Sequence, residues 1–247
     1  MDLKNVNLKP IGVVRNEIDD RKRMTVLGGP SSVELFPEYS EGLLHFEKHS
    51  HLWVLVWLHT ADREALRVKP RGLKDVGDEG MHGVFAVRSP ARPNPIGLTA
   101  AKVLRREGNR IEFDRLDFID GTPVIDLKPY YVTRDMIFSA RNAQVGKTAS
   151  EEAVRESLLM QGEMFAGGLS PETEQAARML ADFRANVLDF IDPPSWKIRV
   201  PEGAPGLADA FLGMTRVRFG DGGIAFHDRQ VVLIEAGGKM KEYGLGA

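Results

Sequence analysis

The chain has 247 residues, of which 43% are hydrophobic and 28% are charged, a balance typical of a folded protein with one large or two small cores. The lack of cysteine excludes disulfides, thiol nucleophiles and cysteine-ligated metals. The formal net charge of −2 is unevenly divided, because residues 151–247 hold 10 Lys+Arg against 15 Asp+Glu and the first 150 hold 23 against 20. A surface for a polyanion, if there is one, is therefore expected in the first part.

The start of the chain lacks the apolar core of a signal peptide, and no apolar run approaches the length of a membrane span. We therefore expect a cytoplasmic protein that does not enter a membrane. Residues 8–14 predict a first strand, and residues 15–23 predict a polar loop that contains Arg21, Lys22 and Arg23. A solvated loop is the ordinary interpretation of this basic cluster, and a contact with phosphate is the alternative.

Residues 42–60 predict a β segment, with a nearly continuous apolar run between His51 and His59. Such a run is typical of a strand buried on both faces, as in a barrel or beneath a dimer contact. His45, His49 and His51 do not fall on one face of a strand or helix, so we predict no metal site.

Charged and β-forming segments alternate after this run. Residues 63–79 predict a charged loop with Arg63, Arg67, Lys69, Arg71 and Lys74, which could follow a nucleic-acid backbone or be disordered without a partner. Strands are predicted at 82–88, 98–104, 111–118 and 124–127, with a hairpin turn at Gly108-Asn109. Short strands of this kind, without a clear helix, indicate a mainly β fold, here a small β-barrel over residues 1–145.

The most distinctive stretch of the chain is RSPARPNPIGLT, residues 88–99. Its three prolines fix φ and remove backbone donors, so it predicts a stiff loop that leads into a strand. A rigid loop that carries two guanidinium groups and an amide resembles a preorganised ligand clamp. Arg88 and Arg92 could bind a carboxylate or a phosphate through paired hydrogen bonds, and Asn94 could bind an adenine edge or cap a turn.

A second motif, DGTPVIDLKPY, spans residues 120–130. Asp120 could cap a turn or serve a site, Asp126 could pair with Lys128, and Tyr130 could stack on a base or on adenine. The sequence contains no glycine-rich dinucleotide turn, no P-loop and no GxSxG elbow. A nucleotide-like cofactor would therefore be held by loops on β structure rather than by a strand–turn–helix unit.

These two motifs, together with residues 10–14, 33–39 and 50–53, resemble the TsaA-like family over about the first 140 residues. The resemblance implies a methyltransferase that uses S-adenosylmethionine (SAM), has a small β-barrel and works as a homodimer. The implied substrate is tRNA, at threonylcarbamoyladenosine next to the anticodon. Residues 28–32 depart from the family, whose members usually carry a Pro-Arg-Gln-like element there. A SAM-dependent methyltransferase of a small metabolite and a non-catalytic SAM-binding regulator are the alternatives.

We predict three sets of site residues, taken from the two motifs and from the basic cluster. The cofactor set is Arg92, Asn94, Pro95, Ile96, Leu98 and Asp120. The catalytic set is Asp126, Lys128 and Tyr130. The substrate set is Arg88, Arg21, Lys22 and Arg23. The roles of Arg88 and Arg92 could be exchanged, and the sequence identifies no general base.

Residues 146–247 predict an acidic α+β accessory domain of unknown role. Thr148 and Glu151 form a capping box for a helix that reaches about Phe165 and is broken by Gly167-Gly168. A second helix is predicted from a cap at Ser170 to the prolines at 193–194. Strands are predicted at 196–200, 214–219 and 230–235, followed by a frayed tail from Met240.

Overall fold

The computed structural model describes residues 6–25, 27–70, 80–142, 146 and 150–245. Contacts divide the chain into two compact units, one formed by Met1–Val68 with Met81–Ile137 and the other by Lys69–Gly80 with Phe138–Ala247. This division falls between Ile137 and Phe138, and the domain boundary expected at 145/146 stays a prediction. Within the described ranges, no helix is long and apolar enough to cross a membrane.

A closed antiparallel barrel makes up most of the first unit and confirms the predicted mainly β fold. The described residues of this unit form eight strands: β1 (Gly12–Arg15), β2 (Gly29–Leu35), β3 (His51–Trp57), β4 (Arg67–Val68), β5 (His82–Gly83), β6 (Ile96–Glu107), β7 (Arg110–Leu116) and β8 (Pro123–Pro129). Six of them close the barrel in the order β1-β2-β7-β6-β3-β8, and β4 pairs with β5 as a separate two-stranded ribbon. A single helical turn, α1 (Val132–Asp135), follows β8.

Strand β3 shows how the sequence fills the barrel. Leu52, Val54 and Val56 are almost fully buried, whereas the alternate residues Trp53 and Leu55 are only half-buried. Successive side chains of a strand point to opposite faces, so one face of β3 lines the core and the other faces outward. The prediction of a strand buried on both faces is therefore wrong within the single chain.

Two further predictions for this unit need correction. Residues 42–50 do not belong to a strand, because two short 3-10 helices, Pro37–Leu43 and Phe46–Lys48, bury Leu43 and Phe46 against the barrel core. The strand predicted at 82–88 is reduced to β5, since the chain turns immediately after it, where the Ala86 N–H donates to the Gly83 carbonyl. The hairpin between β6 and β7 is confirmed at Gly108-Asn109.

The second unit is an α+β fold, as predicted. Its elements are α2 (Glu151–Ala166), α3 (Pro171–Asp182), β9 (Lys197–Pro201), α4 (Pro205–Thr215), β10 (Ile224–His227), β11 (Val231–Ala236) and β12 (Lys239–Gly244). The strands form one sheet in the order β10-β9-β11-β12, in which β10 and β9 are parallel and the other pairs are antiparallel. Helices α2, α3 and α4 share one apolar core with this sheet.

Helix ends in this unit follow local signals. The predicted cap Thr148 lies outside the described residues, and the side chain of Ser150 instead accepts a hydrogen bond from the Ala153 N–H, 3.2 Å away. Gly167 ends α2 in the left-handed conformation that favours glycine. Ser170 caps α3 as predicted. However, α3 ends at Asp182, followed by a π-helical turn at Phe183–Val187, well before the prolines at 193–194.

The strand predicted at 214–219 and the frayed tail are wrong. Met214 lies in the last turn of α4, a helix that the sequence prediction missed, and its side chain is buried in the core. The residues from Met240 onward belong to β12, which pairs along its whole length with β11. A strand with several charged residues at the edge of a sheet has few apolar positions from which to recognise it.

Candidate functional site

Loops at one end of the barrel bring together segments that are distant in the sequence. Because neighbouring strands are antiparallel all around the barrel, its connections alternate between two ends. The β1–β2 loop, the β3–β6 connection and the β7–β8 turn share one end. The same end of the barrel therefore carries Asp120, the basic cluster Arg21–Arg23 and residues 88–95, which we call the Pro-rich loop.

Arg92 holds the Pro-rich loop in shape. Its Nε donates to the Ser89 carbonyl at 2.8 Å, and its Nη2 donates to the carbonyls of Val84 at 2.9 Å and Val87 at 2.7 Å. The guanidinium group thus ties together two turns of the chain that precede β6. In the structure, Arg92 is a structural element of the loop, and its predicted contact with a cofactor stays a prediction.

The rest of the loop is also tied down. The buried Pro95 accepts a hydrogen bond from the Leu58 N–H at 2.8 Å, and Pro93 accepts one from Arg63 Nε at 3.2 Å. Arg88, which donates to the carbonyl of Leu98, and Asn94 remain exposed. The loop therefore presents one guanidinium and one amide from a fixed backbone.

The two long motifs lie side by side on the outer wall of the barrel. Strand β3 pairs with β6 on one side and with β8 on the other. Leu98 is opposite Leu55, which in turn is opposite Asp126. Two residues earlier in β3, Trp53 is opposite Lys128. The wall formed by β6, β3 and β8 thus joins the Pro-rich motif to the second motif across a single strand.

The predicted catalytic residues all lie along β8 and just after it, beside β3. Lys128 Nζ is 2.5 Å from Asp126 Oδ2, an ion pair that is partly exposed to solvent. The ring of Tyr130 packs at 5.5 Å from Trp53 and at 6.4 Å from His51. A carboxylate, an ammonium and an aromatic ring therefore follow one another beside the apolar outer face of β3.

Asp120 is used in the turn before β8. Its Oδ1 accepts a hydrogen bond from the Asn16 N–H at 3.1 Å, and its backbone N–H donates to the Ile18 carbonyl at 2.7 Å. These bonds fix the start of the loop that carries the basic cluster. In that cluster, Arg23 pairs with Asp19 at 3.3 Å, so part of its positive charge is compensated within the loop.

The structure brings most predicted residues to one end and one wall of the barrel, and it adds residues that the sequence motifs did not single out. Leu55 lies in the central strand of the wall, and the ring of Trp57 lies 5.4 Å from the guanidinium of Arg63. Because the apolar run of β3 is nearly continuous, no alternation of polar and apolar residues indicated this outer face. Lys74 and Arg71 of the basic loop lie outside the described residues.

The histidines do not converge. His49 packs edge-on against Tyr131 at 5.6 Å, His51 Nδ1 lies 2.9 Å from the Ser50 hydroxyl, and His45 is 3.8 Å from Glu47. Across the part of the chain that the structure describes, no three His, Cys, Asp or Glu side chains are grouped to hold a metal ion.

The class that this geometry defines is a small closed β-barrel whose candidate site is built from end loops and one outer wall. A model of the tRNA-methyltransferase O N-terminal domain matches residues 21–136. A probable SAM-binding protein of Methanothermobacter thermautotrophicus is 42% identical over 136 residues, which are 53% of this chain and 95% of that protein. The chain belongs to the TsaA-like family of tRNA methyltransferase O.

Other relatives differ in length. A probable SAM-binding protein of Archaeoglobus fulgidus is 38% identical over 180 residues, and the match spans 70% of this chain but only 47% of that protein. A putative SAM-dependent methyltransferase of Pseudomonas aeruginosa is 33% identical over 155 residues, 60% of this chain and 64% of that protein. A crystal structure of TrmO from Pseudomonas aeruginosa aligns at 26% identity and a TM-score of 0.46, covering 78% of this chain and 85% of that one.

Proposed function

We propose that this protein is a SAM-dependent methyltransferase that acts on tRNA, at threonylcarbamoyladenosine next to the anticodon. The observation that carries the proposal is the register of β6, β3 and β8, which sets the Pro-rich motif and the second motif on one wall. Family membership supports methyl transfer on tRNA, and the names of several relatives support SAM as the cofactor. A protein that modifies tRNA would work in the cytoplasm.

The side chains on this wall suit the chemical groups of SAM. The exposed amide of Asn94, in the loop that leads into the wall, can pair with an adenine edge. Ile96 and Leu98, each 39% exposed at the start of β6, offer apolar surface to adenosine. When bound, SAM supplies an electrophilic methyl group.

The protein's part in such a reaction is chiefly to position the reactants. Methyl transfer requires the nucleophile, the carbon and the leaving sulfur to be aligned. A rigid site that holds this alignment should therefore lower the activation free energy more than a general base would. The tethered Pro-rich loop provides that rigidity. The pair of Asp126 and Lys128 and the ring of Tyr130 would hold the acceptor adenosine and its modification beside the wall.

Recognition of the substrate would combine long-range and short-range contacts. Arg21, Lys22 and Arg23 lie at the same end of the barrel as the Pro-rich loop and would contact phosphates. The threonine carboxylate suits a guanidinium, and Arg88 is our candidate. Neutralising the three basic residues together should reduce the slope of log affinity against log salt by about one unit per lost phosphate contact, with SAM affinity unchanged.

The same wall supports a homodimer. Trp53, Leu55 and Trp57 are only half-buried, and they adjoin the exposed Ile96 and Leu98. A partner barrel packed on this face would bury the apolar surface and complete the site. Sedimentation at micromolar concentration should therefore give a dimer, and a monomer under those conditions would contradict this part of the proposal.

The decisive experiment is transfer of labelled methyl from SAM to purified tRNA that bears or lacks the threonylcarbamoyl group. We expect label only in the modified tRNA, and nucleoside mass spectrometry should locate it on the modified adenosine. Equal labelling of both tRNAs would contradict the substrate assignment. Labelling of neither would favour a methyltransferase of a small metabolite if SAM is consumed, and a SAM-binding regulator if it is only bound.

A further inference from the structure

Phe85 is an apolar ring held out in solvent next to the candidate site. With 82% of its surface exposed, it is the most exposed large apolar side chain among the described residues. It lies between the ribbon strand β5 and the Pro-rich loop. A single exposed apolar residue is ordinary on a protein surface, so the environment of this ring decides whether it has a function.

The backbone around Phe85 is braced from two sides. The Val84 N–H donates to the Leu66 carbonyl at 3.1 Å. The carbonyls of Val84 and Val87, one on each side of Phe85, both accept hydrogen bonds from Arg92 Nη2. A ring on such a turn loses little backbone entropy when it binds, which is a property of a binding residue rather than of a loose loop.

Cationic side chains surround this turn along the chain and across the ribbon. The exposed Arg67 is the strand partner of Gly83, and the exposed Arg88 follows Phe85 by three residues. Arg63 is bonded to the same Pro-rich loop that Arg92 braces. Among the described residues 62–70 and 80–92, two acids, Asp62 and Glu64, are outnumbered by four arginines, Arg63, Arg67, Arg88 and Arg92.

We infer that Phe85 is a stacking platform for an unpaired nucleobase of the RNA substrate, with Arg67 on the adjoining phosphate. The inference rests on the proposed function and names a contact that the function does not by itself require. Aromatic rings stack on any base because each base has a π face, and guanidinium groups beside the ring neutralise the sugar–phosphate chain. An anticodon loop offers bases that are not locked in a duplex.

Charge argues against a second copy of the chain as the partner of this ring. A two-fold contact places the same patch of both copies in one interface, so it would gather two sets of Arg67 and Arg88 there. Like charges across an interface are unfavourable. A chain of phosphates, in contrast, offers one negative charge for each nucleotide, which matches several arginines spaced along a ribbon and a loop.

The test is the affinity of the full-length protein for unmodified and modified tRNA, measured over a series of salt concentrations. Phe85→Ala should weaken tRNA binding roughly 5- to 150-fold, the effect of one lost base stack, without changing the salt slope. Phe85→Trp should retain the affinity. Leu44→Ala is the matched control, because Leu44 is 77% exposed on the same unit and should leave the affinity unchanged. Arg67→Gln should reduce the salt slope.

Each other result has a definite meaning. If Phe85→Ala lowers the affinity for SAM and leaves that for tRNA unchanged, the ring is a cofactor contact and the inference is wrong. If Phe85→Ala converts a dimer to a monomer, the ring belongs to a subunit interface and the inference is again wrong. Methyl transfer by the parent protein together with unaltered tRNA binding by Phe85→Ala refutes the inference alone. A parent protein that binds no tRNA refutes both the inference and the proposed function.

Discussion

Gly97 is the position at which the Pro-rich motif meets the barrel core, and alanine there should destabilise the protein. A Cβ at Gly97 would lie 2.7 Å from Cε1 of Phe118, 2.7 Å from Cγ2 of Val56 and 3.2 Å from Cδ2 of Leu58. Ordinary contact begins at about 3.4 Å, so two buried neighbours would each have to move by about 0.7 Å. The motif has glycine here because the core fills the space of a side chain.

The size of the effect follows from two opposing contributions. Overpacking a well-filled core costs about 1–3 kcal/mol, whereas replacing glycine by alanine in an unstrained strand stabilises by about 0.4–1 kcal/mol through the unfolded chain. Gly29 is the matched control, because it also lies in a barrel strand and a Cβ there would meet nothing within 4 Å. Gly97→Ala should therefore be less stable than Gly29→Ala by about 1–3 kcal/mol.

Urea unfolding followed by tryptophan fluorescence can report on the barrel alone. Two of the three tryptophans, Trp53 and Trp57, lie in β3, and the third, Trp196, lies in the second unit. A Trp196→Phe background applied to every variant leaves only the barrel signals. Adding Val56→Ala to Gly97→Ala removes one of the clashing atoms, so the two changes should show a favourable coupling of about 0.5–3 kcal/mol.

Equal stability of the two glycine variants would refute the reasoning. It would mean that Phe118 and Val56 yield to an added methyl group without measurable cost, and the glycine would then need another explanation, such as close approach of a ligand. A loss of stability without coupling to Val56 would place the strain elsewhere in the barrel. Both results can be read from the same set of unfolding curves.

Three further changes test the remaining structural claims. Arg92→Ala should lower the free energy of unfolding by about 1–3 kcal/mol, because three carbonyls lose their donor. The variant should also lose most of the roughly 2.7 kcal/mol of stability that SAM adds at 100 times its dissociation constant. A full SAM-dependent rise in melting temperature in the variant would contradict this. Treatment with a chelator should leave methyl transfer intact, and stoichiometric zinc that survives dialysis would contradict that expectation. Burial disfavours ionisation of Asp182, but hydrogen bonds from Lys241, Tyr243 and Asn186 outweigh it and hold its pKa below the usual range. A carboxyl with a lowered pKa stabilises the folded state above its unfolded pKa, and this stabilisation is lost as the pH falls through the pKa of the folded state. Asp182→Asn should therefore be less stable than the parent near pH 7, and the difference in stability should shrink below about pH 4. A pH-independent difference in urea midpoints would show that the charge of Asp182 is unimportant.

Signals confined to a few residues predicted their structures well. The turn at Gly108-Asn109, the cap at Ser170 and the stop at Gly167 all lie where the sequence indicated. Each of these depends on the conformational preference of one or two residues, or on one side chain that bonds to its own backbone. Such preferences are the same in any fold, so they can be derived without knowing the fold.

Segments whose structure depends on distant partners were predicted poorly. Residues 214–219 suggested a strand, but Met214 belongs to a helix that packs against α2, where Gly162 leaves room for its side chain. Strand β12 looked like a frayed tail, yet Tyr243 donates to Asp182 at 2.6 Å on a helix sixty-one residues away. Packing of this kind overrides local propensity, and one sequence does not reveal it.

The candidate site depends both on local signals and on distant partners. Arg92 shows why the sequence alone could not distinguish the role of Arg92 from that of Arg88. Prolines remove backbone donors, and an irregular loop has no ladder partner to replace them, so carbonyls near Pro90 need donors from side chains. Arg92 supplies them to three carbonyls at once, whereas Arg88 stays exposed. The prolines that make the loop stiff thus create the need for one arginine inside it. By this reasoning Arg92 shapes the loop, and Arg88 is the arginine with donors left for a ligand.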